Sequence, residues 1–352
     1  MPPTFKIAVV AGDGIGREVI PAGVAALEAA ARGGDIALSF TDFPWGCDFY
    51  TQHGRMMDAD AFERLVTFDA IYLGAIGAPG VPDGLSAALI LAIRQRFDQY
   101  VNLRPMRLLP GLTSPLANRG VADIDMVCVR ENSEGEYAGV GGRIHVGTDR
   151  EVAQQTGVFT RHGIERILRY GFALALSRPR KMLASATKSN ALTYAMVLWD
   201  EVADIVRREF PDVEYRKYHV DALAARMITH PQTLDVLVTS NLFGDILTDI
   251  GSAISGSLGI APGANINPER IHPSMFEPIH GSAPDIAGRG IANPIGAIWA
   301  GALMLDHLGR RDLHDRIVSA IERVVSTGRM CTPDLGGTAT TQEVADAIRS
   351  EI

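Results

Sequence analysis

The sequence predicts an α/β protein with a mixed, largely parallel sheet that helices cover. Between residues 6 and 75, short apolar strand patterns alternate with helical patterns, which is typical of βαβ units. The chain has 352 residues, and 47% of them are apolar. That length exceeds what one hydrophobic core usually serves, so we expect two domains. No run of about 18 apolar residues is present, so we expect no membrane span.

The elements are predicted in order from apolar periodicity and turn residues. Strands are predicted at residues 6–11, 36–41, 70–73, 125–130, 181–186 and 234–239. Helices are predicted at residues 18–31, 58–66, 164–175, 192–210, 295–308 and 313–327. Residues 140–150 are rich in glycine and β-prone side chains, which predicts a hairpin or arm.

Composition excludes several classes of protein. The formal net charge of −8 argues against a nucleic-acid-binding protein. The three cysteines, Cys47, Cys128 and Cys331, are an odd number without a CxxC pair, which argues against a disulfide framework or a zinc site. The N-terminal segment reads as a first strand and not as a signal peptide. We therefore expect a cytoplasmic protein.

Three common nucleotide and hydrolase motifs are absent from the sequence. Gly12, Gly14 and Gly16 resemble a dinucleotide fingerprint, but Arg17 occupies the position of a required glycine. Lys188 lacks the glycine that precedes the lysine of a phosphate-binding loop. No GxSxG elbow occurs. The sequence therefore predicts neither a Rossmann domain, nor a phosphate-binding loop, nor a serine hydrolase of that type.

Two aspartates four residues apart suggest a metal site. Asp245 and Asp249 lie in NLFGDILTDIGS, which reads as the start of a helix, so both carboxylates face one side and repel each other. Oxygen ligands of this kind suit Mg²⁺ or Mn²⁺ better than zinc. Asp221, which follows a β-prone stretch, is a third candidate ligand. Two solvated surface acids remain the alternative interpretation of the pair.

Several cationic and phenolic side chains stand in apolar or strand-end contexts. Arg94 ends LILAIR, Arg104 lies in NLRPMR, and Arg130 ends the strand MVCVR. Arginines that converge on one pocket bind carboxylates through two hydrogen bonds. Tyr137 and Lys188 are candidates for proton transfer. Taken singly, each of these residues also fits a structural role.

The segment HGSAPDIAGRGIANP, residues 280–294, is rich in small residues and turn formers. Such a loop offers backbone donors to a nucleotide, and Asp285 is placed to accept hydrogen bonds from a ribose diol. A long surface loop is the alternative interpretation.

Taken together, these motifs resemble those of the metal-dependent β-decarboxylating dehydrogenases. This family includes isocitrate, 3-isopropylmalate, homoisocitrate, D-malate and tartrate dehydrogenases. The resemblance extends over the whole chain. It rests on GDGIG (12–16), NLRP (102–105), VRENSEGEY (129–137), TKSN (187–190), NLFGDILTD (241–249) and HGSAPDIAG (280–288).

The resemblance implies a fold, a domain division and an assembly. The expected fold is the isopropylmalate-dehydrogenase-like two-domain fold and not a Rossmann domain. Residues 1–99 and 251–352 would form a large, cofactor-side domain. Residues 100–250 would form a small domain with a dimer arm and the dimer interface. The family works as a homodimer whose active sites are shared between the subunits.

The resemblance also implies ligands for substrate, metal and cofactor. The substrate carboxylates would be held by Arg94, Arg104 and Arg130. The divalent metal, Mg²⁺ or Mn²⁺, would be bound by Asp245, Asp249 and Asp221 of the partner subunit. A monovalent cation such as K⁺ is a further implied cofactor. NAD would be bound by His280, Gly281, Ser282, Ala283, Asp285, Ile286 and Asn293.

The implied catalytic set is Tyr137, Lys188 and Asp221. Lys188 of the partner subunit would take the C2 hydroxyl proton while hydride passes from C2 to the nicotinamide. The β-carboxylate then leaves as CO₂, and Tyr137 protonates C3. NADP-using relatives carry a Lys-Tyr pair where this chain has Asp285 and Ile286. A carboxylate there favours the free ribose 2′-hydroxyl of NAD and repels a phosphate.

The substrate is expected to be a 2-hydroxy dicarboxylic acid, and the similarity is greatest to the D-malate/tartrate branch. Isocitrate enzymes have Ser and Asn where this chain has Ala88 and Ile90. Isopropylmalate enzymes have two leucines and a Glu where this chain has Leu91, Ile90 and Ala87. The specificity loop, residues 83–94, is about one residue shorter than in the D-malate/tartrate branch. Two alternatives remain open, namely 3-isopropylmalate dehydrogenase and a catalytically silent regulatory relative.

Overall fold

The computed structural model describes residues 2–352, apart from the side chains of Asp83, Ser86 and Ala87. The strands are β1 (Thr4–Gly12), β2 (Ala37–Asp42), β3 (Ala70–Ala75), β4 (Val101–Arg107), β5 (Asp125–Glu131), β6 (Gly135–Ile144), β7 (Val152–Val158), β8 (Met182–Thr187), β9 (Glu214–His219), β10 (Val236–Thr239), β11 (Pro262–Ile266) and β12 (Ser274–Pro278). The α-helices are α1 (Gly16–Arg32), α2 (Cys47–His53), α3 (Ala61–Leu65), α4 (Asp83–Arg96), α5 (Arg161–Ser177), α6 (Ala195–Val206), α7 (Val220–Thr229), α8 (Asn241–Ile254), α9 (Ile295–His307), α10 (Arg311–Ser326) and α11 (Thr341–Glu351).

The chain divides into two compact units. The first consists of Met1–Gln99, Arg107–Val121 and Ser252–Ile352, and the second of Tyr100–Met106 and Ala122–Gly251. The predicted boundaries placed Arg107–Val121 in the small domain, whereas the structure groups this segment with the first unit. Within that unit, Arg107 donates to Glu322. The Ser114 hydroxyl donates to the carbonyl oxygen of Ile254 at 2.6 Å.

The strands of the first unit follow the order β2-β1-β3-β12-β11. All pairs are parallel except β11 with β12, which is antiparallel. The interior of β1 and the whole of β3 are buried, because both faces of a parallel sheet are covered by other elements. The predicted strands at 6–11, 36–41 and 70–73 are confirmed, as is the mixed, largely parallel sheet.

Helix α9 forms the centre of the helical layer in the first unit. Its residues from Ile295 to Leu305 are all buried, and the helix packs on α1, α10, β11 and β12. A helix that is apolar on every side is stable only when it is enclosed in this way. The predicted helices at 18–31, 295–308 and 313–327 are confirmed.

The strands of the second unit follow the order β4-β5-β10-β8-β9. The pairs β5–β10, β10–β8 and β8–β9 are parallel. Helix α5 buries the predicted face, Ile164, Ile167, Leu168, Gly171, Phe172 and Ala175. In α6, the indole of Trp199 donates to the Ser185 hydroxyl at 2.9 Å. Parallel strands connected by helices bring the strand C-termini to one edge of the sheet.

The predicted arm is a two-stranded antiparallel hairpin of β6 and β7. Its outer part is exposed, including Val140, Ile144 and Val152. Across the described residues, no helix combines the length and apolar character needed to cross a membrane.

One local prediction is wrong, and one predicted helix is too long. The segment 83–94 lies on helix α4 and is not a loop. Leu89 and Ile93 of this helix are buried in the apolar core of the first unit, and Ile90 packs partly against it, so packing stabilises the helix. The side chain of Ala87 lies outside the described part of the chain. The predicted helix at 58–66 is reduced to Ala61–Leu65.

Candidate active site

The candidate site of the second unit lies along the carboxyl edge of its parallel strands. Arg130 is near the end of β5 and is paired in register with Thr239, the last residue of β10. On the neighbouring strands, Thr187 ends β8 opposite His219, which ends β9. This edge is where α/β proteins place ligand-binding residues. It brings together segments that are far apart in the sequence.

Arg130 is a buried cation with polar partners on helix α8. Only 2% of its surface is exposed. Its Nε and Nη2 donate to Asn241 Oδ1 at 3.0 and 2.7 Å, and its Nη1 donates to Asp245 Oδ1. The guanidinium also lies 5.7 Å from the centre of the Tyr137 ring. A buried cation with several hydrogen bonds has a fixed orientation.

Arg104 on β4 is held in a similar way, and 9% of its surface is exposed. Its Nε donates to Asn102 Oδ1 at 2.7 Å, and its Nη1 donates to Thr248 Oγ1 at 2.9 Å. The positive charge of Arg104 acts to lower the pKa of both Asp245 and Asp249, although burial leaves the pKa of Asp249 raised. The two arginines and the two aspartates therefore belong to one electrostatic cluster.

The aspartates of α8 differ in their surroundings. Burial raises the pKa of Asp245, but the Arg130 cation and a 2.8 Å hydrogen bond from the Tyr137 hydroxyl outweigh burial, so this pKa lies below its ordinary value. The pKa of Asp249 is raised by burial and by the negative charge of Asp245, and Arg104 opposes this only in part. The i, i+4 repulsion predicted from the sequence is therefore present.

Burial and the Asp245 carboxylate also raise the pKa of Tyr137. This phenol consequently keeps its proton at neutral pH. The Tyr137 hydroxyl donates this proton in a hydrogen bond to the Asp245 carboxylate on α8.

Lys188 and Asp221 form a separate pair. The Lys188 Nζ donates to Asp221 Oδ2 at 2.8 Å, and this hydrogen bond lowers the pKa of Asp221. Within residues 2–352, no three acidic, histidine or cysteine side chains come close enough together to hold a metal ion. Asp221 therefore does not join Asp245 and Asp249 within one chain.

Arg94, the third predicted substrate arginine, belongs to the first unit. Its Nη2 donates to Glu277 Oε1 at 2.9 Å, and Asn265 Nδ2 donates to the same oxygen at 2.8 Å. The Arg94 Nε is buried, and no described group accepts its hydrogen. A carboxylate ligand would provide the missing acceptor.

The predicted cofactor loop of the first unit lies against the turn between β1 and α1. The Ile15 amide donates to the carbonyl oxygen of Ser282 at 2.9 Å. The Glu18 carboxylate accepts from the amides of Gly288 and Gly290 at 2.6 and 2.9 Å. A Cβ on Gly14 would lie 2.0 Å from the Ser282 oxygen, so a glycine is required for this close approach.

The remaining cofactor candidates lie along the same loop. Asp285 is exposed, and Gly281, Ala283 and Ile286 lie close to it in the sequence. Asn293 Nδ2 donates to Asp334 Oδ2 at 3.0 Å, and Asn293 Oδ1 accepts from the Ile295 amide. Burial lowers the pKa of His280, and its Nε2 is buried without a partner in the described structure.

Several hydrogen-bond partners of these site residues were not identified from the sequence. They are Asn102, Asn241 and Thr248, which contact the two arginines, and Glu18, Glu277 and Asp334 in the first unit. Asn102 lies inside the motif NLRP, and Asn241 and Thr248 lie inside NLFGDILTD, so these motifs were a usable signal. The others have no local pattern that separates them from ordinary polar residues.

Comparison with known proteins agrees with the fold. The model of the isocitrate/isopropylmalate dehydrogenase family matches residues 6–348. D-malate dehydrogenase [decarboxylating] of Escherichia coli (strain K12) is 54% identical over 353 residues, which cover 98% of each chain. Tartrate dehydrogenase/decarboxylase of Pseudomonas putida is 52% identical over 354 residues, covering 98% of this chain and 97% of that one. The crystal structure of isocitrate dehydrogenase from Methylococcus capsulatus matches with a TM-score of 0.88 and 35% identity over 99% of both chains.

The fold and these matches define an oxidoreductase that acts on a CH–OH group with decarboxylation. The chain belongs to the isocitrate/isopropylmalate dehydrogenase family. The family and the fold class predicted from the sequence motifs are confirmed.

Proposed function

We propose that this enzyme catalyses the NAD-dependent oxidative decarboxylation of D-malate, of tartrate, or of both. D-malate would yield pyruvate and CO₂. The observation that supports this most directly is the cluster of Arg104, Arg130, Asp245 and Tyr137 on one edge of the second unit. The names of the relatives that are 52–55% identical agree with it.

The arginines bind the two carboxylates of the substrate. Arg104 and Arg130 are buried with fixed orientations, which reduces the entropy lost when a dicarboxylate binds. Arg94 adds a third guanidinium, whose Nε requires an acceptor. Planar guanidinium groups match carboxylate geometry through paired hydrogen bonds.

Two side chains move the protons of the reaction. Lys188, contributed by the partner subunit, accepts the proton of the C2 hydroxyl. NAD, when bound, would supply the hydride acceptor for C2. Asp221 orients this lysine through the 2.8 Å hydrogen bond. Tyr137 donates its proton to C3 after CO₂ has left, and its raised pKa keeps the proton available until that step.

The residues on α8 fit a divalent cation. Asp245 and Asp249 supply carboxylate oxygens from one helix face, and their mutual repulsion, which raises the pKa of Asp249, would be relieved by a cation. Asp221 of the partner subunit completes the set, because one described chain does not bring the three acids together. When bound, Mg²⁺ or Mn²⁺ supplies a Lewis acid that stabilises the negative charge developed as CO₂ departs.

The loop of the first unit fits a dinucleotide. The buried, unpartnered Nε2 of His280 offers a polar contact, and Asp285 is an exposed acceptor for ribose hydroxyls. Gly281, Ser282, Ala283, Ile286 and Asn293 complete the proposed NAD site. K⁺ remains a proposed additional cation on the family resemblance alone.

The working assembly is a homodimer in the cytoplasm. The exposed hairpin of β6 and β7 carries apolar side chains that a second subunit would cover. The separation of the Lys188–Asp221 pair from the α8 carboxylates supports a site shared between two subunits. Neither a nucleic acid nor a membrane is a proposed partner.

The test is NAD reduction measured with D-malate, L-tartrate, 3-isopropylmalate and isocitrate at equal concentrations. We expect the highest kcat/KM with D-malate or tartrate. The highest kcat/KM with 3-isopropylmalate would favour the second candidate function, that of a 3-isopropylmalate dehydrogenase of leucine biosynthesis. The apolar side chains of Ile90 and Leu91 are the observation that supports it. Ile90, however, packs partly into the core of the first unit. No NADH formation with any substrate would favour a regulatory relative.

The proposed contact of Asp285 with the ribose predicts a cofactor preference. We expect the wild-type enzyme to prefer NAD over NADP by at least about 100-fold in kcat/KM. Replacing Asp285 with Asn should reduce that ratio by about 10- to 100-fold, since a hydrogen bond to a charged group contributes roughly 1.5–3 kcal/mol. Exposed Glu28 on α1 provides the control, and Glu28→Gln should keep the wild-type ratio. Comparable kcat/KM for the two cofactors in the wild type would show that Asp285 does not contact the ribose.

A further inference from the structure

We propose that Asn241 and Thr248 are positioning residues, through which helix α8 fixes the orientation of the two guanidiniums in the second unit. This inference rests on the proposed function, because it takes Arg104 and Arg130 as carboxylate ligands. Asn241, Asp245 and Thr248 have the spacing i, i+4, i+7, so they share one helix face. That face contacts Arg130 at its first two positions and Arg104 at its third.

The orientation of the Asn241 amide follows from its other partner. Its Nδ2 donates to the carbonyl oxygen of Glu134 at 3.1 Å. Its Oδ1 therefore faces Arg130 and accepts from both Nε and Nη2. The opposite orientation would place donors against donors, since arginine has no acceptor. Asn241 is 1% exposed, so water does not compete for these contacts.

The orientation of the Thr248 hydroxyl is also fixed by a second hydrogen bond. Its proton is donated to the carbonyl oxygen of Asp245 at 3.1 Å, within the helix. Its lone pairs are consequently directed at Arg104, whose Nη1 donates to Oγ1 at 2.9 Å. Thr248 is fully buried. A serine retains this hydroxyl, and a valine of the same shape lacks it.

The two contacts would affect substrate affinity more than the chemical step. Arginine has a long, flexible side chain, and an arginine that is fixed before binding loses less conformational entropy when a carboxylate arrives. Both carboxylates are still present and held when hydride leaves C2, as they are in the substrate complex, so loss of positioning raises KM with little change in kcat. A purely structural residue would instead lower the unfolding temperature or the active fraction, with KM unchanged.

The experiment compares Thr248→Val with Thr248→Ser. We expect Thr248→Val to raise KM for the preferred dicarboxylate about ten-fold, with kcat within about three-fold of wild type. Thr248→Ser should restore KM to within about two-fold. Ser185→Ala is the control, because the Ser185 hydroxyl is equally buried in the same unit but accepts from the Trp199 indole. Its KM should stay at the wild-type value.

A double-mutant cycle tests whether Thr248 acts through Arg104. In an Arg104→Met background, Thr248→Val should raise KM no further. An equal increase in both backgrounds, or an unchanged KM in Thr248→Val alone, overturns the inference. If Arg104→Met itself leaves KM unchanged, the proposed function of Arg104 is wrong instead. Asn241→Ala, paired with Arg130→Met, provides the same cycle at the second guanidinium should Thr248→Val fail to fold.

Discussion

Mixing Lys188→Ala subunits with Tyr137→Phe subunits restores about a quarter of wild-type activity if active sites are shared. Each variant alone is nearly inactive, because one of its two proton carriers is missing. In a hybrid dimer, one site receives both lesions and the other receives neither. Random exchange makes about half of all dimers hybrid, and each hybrid keeps one of two sites, which gives about a quarter. NADH formation after subunit exchange is the measurement.

The structure supplies a control for this experiment. Lys188 and Asp221 form one pair, whereas Tyr137 contacts Asp245. If a subunit contributes the first pair to its partner, then Lys188→Ala mixed with Asp221→Asn leaves a lesion in every site. That mixture should recover no activity although exchange occurs equally well. If the Lys188→Ala and Tyr137→Phe mixture also fails to recover after confirmed exchange, Lys188 serves the site of its own chain.

Replacing Asp249 with Asn is expected to weaken metal binding and turnover together while the fold stays intact. Loss of a ligand should cost more than the roughly 10- to 100-fold typical of residues that only support ligands. Stability should be preserved or slightly raised, since like charges at i, i+4 cost roughly 0.2–0.5 kcal/mol. The raised pKa of Asp249 reflects that repulsion in part.

Turnover is measured by titration of activity with Mn²⁺. Metal affinity is measured by calorimetric Mn²⁺ binding, and stability by thermal unfolding. Asp212, an exposed aspartate of the same unit, provides the control substitution Asp212→Asn. Asp245 is less suitable, because its carboxylate also accepts from Arg130 and Tyr137. Wild-type turnover of Asp249→Asn at limiting Mn²⁺ would refute the metal assignment.

Much of the fold was predictable because its signals are local. Runs such as residues 6–11 and 70–73 are apolar throughout, as expected for strands buried on both faces. Strand β4 was not predicted, because NLRPMR contains a proline and two arginines and lacks an apolar pattern. Strand β11, which contains Pro262 and Gly263, gives an equally weak signal.

Helix α4 was missed because the segment was named from the family resemblance and not from its local pattern. Residues 83–94 were named a specificity loop, although residues 85–96 consist mostly of side chains that favour helices. The burial of Leu89 and Ile93 in the core of the first unit adds to that local preference.

For the site, three features could be predicted from local patterns: the residue types, the i, i+4 spacing of Asp245 and Asp249, and the placement of Arg130 at a strand end. These features depend on neighbours within one or two turns, so a pattern reveals them. The groups that hold each arginine could not be predicted in this way, because Arg104 and Thr248 are separated by 144 positions and Arg130 and Asn241 by 111. Hydrogen bonds over such distances depend on how strands are ordered in the sheet, and no local periodicity encodes that order.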